Sequence, residues 1–289
     1  MRHTEQRKNL RSILAGSRCT ISASVYDPLS ARIAESVGYG IGMLAGSVAS
    51  NTTLAAPDLI ILTLSEIAAQ IRRIMRVSNL SLVIDADHGY GNALNVMRTI
   101  QELEHVGVSG LTIEDTVLPK PFGQVKDAEL ISSQEMVGKL RAAVAARSDP
   151  ELVIIGRTTV EPNGVSRAIE RLQAYASTGI DMIFLHGTVD LDQLEIIHAA
   201  VNLPIMIGAG KKLGVAKRED LAVRGVRILI PYHNSVTIAG AVKALQETYM
   251  HLFNGGAPSD LKSKIASPQE MERIVNSETY EKWRREYLH

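Results

Sequence analysis

The 289-residue sequence predicts an α/β protein that folds as a (β/α)8 barrel of the TIM type. Short β-rich segments alternate with longer segments of helical period from about residue 20 to about residue 250, which is typical of parallel strands joined by helices. Eight such pairs close most simply into a barrel. The main alternative is an open doubly wound sheet, but its Gly-x-Gly-x-x-Gly turn is missing, because Tyr26-Asp27-Pro28-Leu29 follows the first strand.

The eight strands begin with the run Thr20-Ile21-Ser22-Ala23-Ser24-Val25-Tyr26. They are predicted over residues 20–26, 40–45, 81–86, 110–114, 152–157, 182–186, 204–207 and 226–230. Each is followed by a helix, predicted over residues 28–37, 65–78, 93–107, 132–147, 164–178, 190–200, 217–224 and 235–252.

Local signals support the helix boundaries. Pro28 stands in a first turn, and Ser65 precedes Glu66 at the start of the second helix. Gly38, Gly107 and Gly179 stand where helices should end and the next strand begin.

The barrel is predicted to occupy residues 1–254, and a C-terminal extension residues 255–289. The extension begins with Gly255-Gly256-Ala257-Pro258, is more polar, and has a second helical pattern around Tyr280, Trp283, Arg284 and Tyr287. We expect this tail to pack on the barrel or on a neighbouring subunit.

Composition excludes several classes of function. Lys and Arg total 31, as do Asp and Glu, and the sequence has only three Phe, eight Tyr and one Trp, so nucleic acid is not an expected partner. No apolar run approaches the roughly 20 residues that span a bilayer, and the N-terminal residues do not resemble a secretory signal. The single cysteine, Cys19, excludes an intrachain disulfide and favours a cytoplasmic protein.

Acidic residues follow two neighbouring predicted strands. Asp85 and Asp87 are at positions i and i+2 and so would point the same way from a strand, and Glu114 ends the next strand. Three carboxylates at one mouth of a barrel repel each other unless a cation lies between them, and oxygen ligands suit Mg²⁺, with Mn²⁺ as an alternative. Helix caps or loop ion pairs would explain one of these acids more easily than all three.

Other candidates end neighbouring strands. The small residues of the run 45–50, which includes Gly46 and Ser47, would let backbone amides and a hydroxyl approach an anion, or form a tight turn without a ligand. Arg157 could hold a substrate carboxylate or pair with the acids. His233 could donate to an oxyanion or move a proton, or be structural, and His186 has a weaker claim.

One apparent phosphate loop is rejected. Gly208-Ala209-Gly210-Lys211-Lys212 is followed by Leu213, whereas a Walker motif requires Ser or Thr after its lysine.

The phrase Asp85-Ala86-Asp87-His88-Gly89-Tyr90-Gly91-Asn92, with Gly46-Ser47, Ile113-Glu114-Asp115 and Arg157-Thr158, resembles the isocitrate lyase/phosphoenolpyruvate mutase superfamily. The likeness covers nearly the whole chain. The runs 19–26, 27–34, 46–50 and 85–98 look most like its bacterial oxaloacetate decarboxylase branch.

This resemblance implies a homo-oligomer, a dimer of dimers, in which the last helix of the barrel is exchanged between subunits. The C-terminal extension after Pro258 fits that role and is expected to be the swapped element. It implies that Asp85 binds Mg²⁺ directly and that Asp87 and Glu114 act mostly through bound waters. Asp58 matches a position near the metal in relatives, with a helix or loop cap as the alternative role. Ser47 and adjacent amides would hold the carboxylate of a 2-oxo dicarboxylate, and Arg157 and His233 would reach the rest of the substrate.

The loop after the fourth strand narrows the expected reaction. Carbon–carbon lyases of the superfamily carry a Lys-x-Cys-Gly-His phrase there, whereas this chain has Phe122 for the cysteine and Gln124 for the histidine. The Asn and Ser of the phosphonomutases are absent too, which leaves decarboxylation. The resemblance to the oxaloacetate decarboxylase branch then implies Mg²⁺-dependent decarboxylation of oxaloacetate to pyruvate and CO₂.

Two alternatives stay open. The residues after Thr158 and the pair Lys211 and Lys212 depart from the family pattern and would suit another 2-oxo or 2-hydroxy dicarboxylate, or a phosphonate. A non-catalytic barrel that binds a metal and a carboxylate is the other alternative, and the source of the final proton is not identified.

Overall fold

The computed structural model describes residues 3–119, 129–160, 164–187, 189–208, 216–231 and 235–288. Its strands are all parallel and form one sheet. They are β1 (Thr20–Ile21), β2 (Ala23–Ser24), β3 (Ile41–Leu44), β4 (Ser81–Asp85), β5 (Gly110–Glu114), β6 (Val153–Thr159), β7 (Met182–His186), β8 (Ile205–Gly208) and β9 (Val226–Ile230).

The sheet closes into a barrel through its first strand, which is split at Ser22. The β1 segment pairs with β9 and the β2 segment pairs with β3, so the two halves of one predicted strand join the two ends of the sheet. Ser22 itself donates its amide to Leu229 O at 3.0 Å. The predicted barrel is therefore confirmed. Its eight predicted strands appear as nine segments because the first strand is divided at Ser22.

Twelve α-helices are described. They are α1 (Thr4–Ala15), α2 (Pro28–Val37), α3 (Gly46–Leu54), α4 (Leu64–Met75), α5 (Ala93–Val106), α6 (Ser133–Ala146), α7 (Gly164–Ala176), α8 (Leu191–Val201), α9 (Arg218–Ala222), α10 (Val236–Phe253), α11 (Pro268–Ile274) and α12 (Ser277–Tyr287), with a 3₁₀ turn over Pro258–Leu261. None of the described helices is long and apolar enough to cross a membrane.

Most helix ends follow the predicted signals. The Asp27 carboxylate accepts the Ser30 amide in front of Pro28, and Gly38 and Gly107 end their helices at positive φ. The second predicted helix is different, because its cap is Thr63 and not Ser65. Thr63 Oγ1 accepts the Glu66 amide while the Glu66 carboxylate accepts the Thr63 amide, which is a capping box.

Helix α1 was not predicted, and it seals the N-terminal end of the barrel. Leu10 and Leu14 join the apolar cluster formed by the inward side chains of the strands, among them Val83, Val153 and Phe184. Because side chains alternate along a strand, the next inward positions toward the carboxyl ends are polar. This barrel is therefore closed at one end and polar at the other.

The C-terminal extension is helical, as the pattern around Tyr280 and Trp283 predicts. Helix α11 packs against α2 of the same chain, and Arg32 Nη1 donates to Ile274 O at 3.1 Å. Helix α10, in contrast, buries none of its residues.

Candidate active site

Asp85 is the last residue of β4 and points into the barrel at its carboxyl end. It follows Val83 by two positions, and Val83 belongs to the inner apolar cluster. Asp85 Oδ1 accepts the Thr112 hydroxyl at 3.0 Å and the Asp87 amide at 3.2 Å. The carboxylate is therefore held by the neighbouring strand and by its own turn.

Arg157 and Glu114 face Asp85 from the next two strands. Glu114 of β5 is in register with Arg157 of β6. The guanidinium donates from Nη1 to Asp85 Oδ2 at 2.6 Å and lies 3.2 Å through Nη2 from Glu114 Oε2. It also stacks over the Phe184 ring, with Cζ 5.2 Å from the ring centroid. Strand β6 continues two residues beyond its predicted end, so Arg157 lies within the strand and not at its terminus.

Asp87 lies beyond the strand, contrary to the expectation that Asp85 and Asp87 share a strand face. Its backbone has φ +48°, and the turn continues through Gly89 at φ +79° and Tyr90 at φ +61°. The turn still directs the Asp87 carboxylate to the same place, because a Cβ built on Gly46 would lie 3.0 Å from Asp87 Oδ1. The same point is 3.8 Å from Asp58 Oδ1 and 3.8 Å from Asp85 Oδ2.

Gly46 and Ser47 begin helix α3, so of the two alternatives for residues 45–50 the tight turn is wrong. Ala45 is the residue before the helix, with extended backbone, and its side chain makes no capping bond. The first amides of a helix have no partner within the helix, so Gly46 and Ser47 still present donors at this rim. The absence of a side chain at Gly46 is what lets the carboxylates approach.

Among the described residues, the carboxylates at this mouth of the barrel outnumber the cationic groups that pair with them, and their pKa values are shifted. Burial, with the charges of Asp85, Glu114 and Asp58, raises the pKa of Asp87 to about 8. Burial also raises the pKa of Glu114, although Arg157 opposes this shift. Burial acts on Asp85 too, but Arg157 and the Thr112 hydroxyl together bring its pKa below the ordinary value. In the absence of a cation the cluster would therefore hold a proton on Asp87 near neutral pH.

The donor set suits a hard divalent cation with retained waters. Four carboxylates approach one another, and the Arg157 guanidinium pairs with two of them, Asp85 and Glu114. Within the described ranges, no three acidic, histidine or cysteine side chains are grouped as direct ligands of one ion. Because the Arg157 guanidinium lies between Asp85 and Glu114, a single direct carboxylate with the others bound through water fits better than three direct ligands.

Several residues named in the sequence analysis lie outside the described residues. They are His233, Phe122, Gln124, Lys211 and Lys212. His186 is described at the rim, where it ends β7 beside Thr159 of β6, with its ring centroid 6.4 Å from that of Phe184.

Three residues that border the site were not among the predicted site residues. Thr112 donates to Asp85, Phe184 supports Arg157, and the Tyr90 hydroxyl is buried with no hydrogen-bond partner among the described groups. Burial, with the charges of Asp87 and Asp85, raises the pKa of that phenol, so it stays protonated. The period of two along a strand could have identified Thr112, because it shares a face with Glu114.

Comparison with known proteins identifies the family of this chain. Residues 10–253 match the family model described as phosphoenolpyruvate phosphomutase. A protein of Rhodopseudomonas palustris (strain BisA53) named oxaloacetate decarboxylase is 48% identical over 274 residues, which cover 94% of this chain and 93% of that protein.

Solved structures share the whole fold. The phosphoenolpyruvate phosphomutase of Streptomyces platensis subsp. rosaceus superposes with a TM-score of 0.88 at 25% identity, covering 98% of this chain and 99% of the other. A phosphonopyruvate hydrolase in complex with oxalate and Mg²⁺ gives 0.85 at 28% identity, with the same coverage. This chain therefore belongs to the phosphoenolpyruvate phosphomutase family, within the isocitrate lyase/phosphoenolpyruvate mutase superfamily, and is an enzyme of the carboxy-lyase class.

Proposed function

We propose that the protein is a Mg²⁺-dependent oxaloacetate decarboxylase that forms pyruvate and CO₂. The observation that carries this proposal is the convergence of Asp58, Asp85, Asp87 and Glu114 with Arg157 at the open mouth of the barrel. The names of the similar proteins point to the same substrate.

The residues present can be assigned to a cation and to a substrate. Asp85 would hold Mg²⁺ directly, and Asp87 and Glu114 would hold waters bound to it, with Asp58 beside them. A cation bound there would stabilise the negative charge that develops on the substrate carbonyl oxygen. Mn²⁺ has the same preference for oxygen ligands and should substitute for Mg²⁺.

The remaining groups would bind and orient the acid. The amides of Gly46 and Ser47, at the start of α3, would accept the carboxylate next to the 2-oxo group. Arg157 would bind a substrate oxygen, since its guanidinium lies at the mouth between Asp85 and Glu114. His233 is proposed to reach the other end of the substrate.

The reaction needs one bond to break and one to form. The C3–C4 bond breaks, CO₂ leaves with the carbon of the C4 carboxylate, and the electron pair of that bond remains as the enolate of pyruvate. A proton then adds to C3 and completes pyruvate. The Arg157 guanidinium and the first amides of α3 are already oriented before negative charge develops on the substrate. They would therefore lower the activation barrier of decarboxylation.

CO₂ release from oxaloacetate tests the proposal. After subtraction of the background caused by free metal, we expect protein-dependent CO₂ release that is lost in EDTA and returns on addition of excess Mg²⁺ or Mn²⁺. Turnover that persists in EDTA would contradict the metal requirement. Turnover of phosphonopyruvate or of another dicarboxylate, with none of oxaloacetate, would assign the protein to a different reaction of the superfamily.

We also propose that α10 is exchanged between subunits of a homo-oligomer. None of its residues is buried, and Phe253 at its end is 91% exposed. A mostly apolar groove of about 490 Å³ lies on the outer face of the barrel beside the start of α10, lined in part by Leu29, Ile33 and Val37 of α2. The exposed apolar side chains of α10 in a second copy match this groove in chemistry.

Sedimentation tests the exchange. We expect the wild-type chain to sediment as a dimer of dimers, four times the mass of the 31.4 kDa chain. Leu245→Glu, which places a charge on the exposed apolar side of α10, should give a smaller species. Ile196→Glu is the matched control, because Ile196 is a similarly exposed apolar residue on α8. A monomeric wild type would contradict the proposal.

A further inference from the structure

A buried polar cluster lies directly behind Glu114 and Arg157. Asp115 follows Glu114 and is fully buried, and Thr158 follows Arg157 and is almost fully buried. Asp115 Oδ2 accepts three hydrogen bonds, from Thr158 Oγ1 at 2.6 Å, Tyr175 OH at 2.6 Å and Arg171 Nε at 2.9 Å. We call Asp115, Thr158, Arg171 and Tyr175 the Asp115 cluster.

The cluster ties two strands together where their backbone pairing ends. The last backbone bond from the end of β5 to β6 runs from the Asp115 amide to Arg157 O and is long, at 3.3 Å. The bond from the Thr158 hydroxyl to the Asp115 carboxylate, at 2.6 Å, joins the strands one residue further on. The separation of the Glu114 and Arg157 side chains therefore depends on this side-chain link as well as on the sheet.

The same cluster holds the chain where it returns toward α6. The Ile131 amide donates to Asp115 O at 2.8 Å, and Arg171 Nη2 donates to Ile131 O at 2.7 Å. Arg171 and Tyr175 both come from α7, so helix, strands and returning chain meet at one carboxylate. The buried charges balance, because the Asp115 carboxylate is paired with the Arg171 guanidinium.

We propose that the Asp115 cluster is a positioning unit, which sets the distance between Glu114 and Arg157 and affects catalysis through them. In the described part of the chain its side chains bond to one another and to Ile131 and not to Asp85 or Asp87, so the unit acts from behind the site. The proposal rests on the proposed function for its kinetic test, but its binding test does not require turnover.

The opposite end of the barrel supplies a matched control. There, Asp149 Oδ2 accepts Thr4 Oγ1 at 2.9 Å and Arg7 Nη1 at 2.7 Å, so a buried carboxylate is again shared by a threonine and an arginine. Thr158→Val and Thr4→Val each remove a threonine hydroxyl that donates to a buried carboxylate. Thr158 lies beside the site, and Thr4 lies far from it. Thr158→Ser restores the hydroxyl.

The experiment measures kcat and KM with oxaloacetate and, separately, the binding of oxalate in the presence of Mg²⁺ by calorimetry. We expect Thr158→Val to lower kcat/KM and the oxalate affinity by about tenfold to 100-fold, since small displacements of catalytic groups have effects of this size. Thr158→Ser should return both to near the wild-type values. Thr4→Val should lower the melting temperature and leave both values unchanged.

Other results would overturn the proposal. If Thr158→Val changes the melting temperature as Thr4→Val does and leaves kcat, KM and oxalate binding unchanged, the cluster is only structural. If the wild type binds oxalate but does not decarboxylate oxaloacetate, the proposed function fails and the binding comparison still decides the positioning role. Absence of oxalate binding in the wild type would reject both. If Thr158→Val does not fold, Tyr175→Phe can be used in its place, because it removes a different hydrogen-bond donor to Asp115 Oδ2.

Discussion

Asp85→Asn should abolish decarboxylation while the protein remains folded. The carboxylate has the central position in the site, since it bonds to Arg157 and Thr112 and lies 3.8 Å from the Cβ position of Gly46. Asparagine keeps the shape but removes the charge that would hold the cation. Loss of several kcal/mol of transition-state stabilisation corresponds to a decrease in kcat/KM of about 10³-fold or more.

Asp85→Asn should also lose some stability in metal-free buffer, because, against the effect of burial, the Arg157 guanidinium and the Thr112 hydroxyl hold the pKa of Asp85 below its ordinary value and so favour its charged form in the folded chain. Arg157 retains Glu114 as a partner, so the variant should remain folded. Asp181→Asn is the control, because Asp181 Oδ2 accepts Arg147 Nη1 at the same distance of 2.6 Å, but at the closed end of the barrel. It should cost about 2 kcal/mol of stability and leave kcat/KM unchanged. Equal activity of Asp85→Asn and wild type would remove the basis of the proposed function.

Gly46→Ala should have the second largest effect, through one methyl group. Gly46 has helical backbone, so alanine is compatible with its conformation. The new Cβ, however, would lie 3.0 Å from Asp87 Oδ1 and within 4 Å of both Asp58 and Asp85. Displacement of these carboxylates should lower kcat/KM by about 100-fold, measured as CO₂ release at saturating Mg²⁺.

Gly138→Ala is the matched control for this methyl group. Gly138 lies inside α6, and a Cβ there would meet no atom within 4 Å. Alanine is the better helix former by about 1 kcal/mol, so this variant should be slightly more stable and fully active. If Gly46→Ala is as active as Gly138→Ala, the carboxylates do not need to approach one another for turnover.

The parts of the fold that the sequence predicted are those with a regular local pattern. Helices such as α2 and α5 carry their own caps and terminal glycines, and each barrel strand is a short apolar run. Helix α3 was missed because its residues, GSVASNTTL, are weak helix formers without an apolar stripe. Its conformation depends on tertiary contacts, for example Thr53 Oγ1 with Gln70 Oε1 of α4 at 3.0 Å.

In the site too, residues that follow a local sequence pattern could be predicted, and residues that depend on distant parts of the chain could not. Residues at strand ends, such as Asp85 and Glu114, could be found by position in the barrel alone. Asp87 was expected for the wrong reason, because its side chain reaches the site through a turn with positive φ and not through strand alternation. The Asp115 cluster could not be predicted, since Asp115 and Tyr175 are 60 residues apart and meet only in the folded chain.

The sealed end of the barrel contributes to stability and lies far from the active site, so its residues can be changed to raise the melting temperature. The ion pairs of Arg7 with Asp149 and of Arg147 with Asp181 lie where α1 covers the strands, away from the carboxylates at the mouth. Mutant libraries designed to increase thermal stability can therefore be confined to the sealed end. Substitutions there should change the free energy of unfolding and leave the geometry of the active site unchanged.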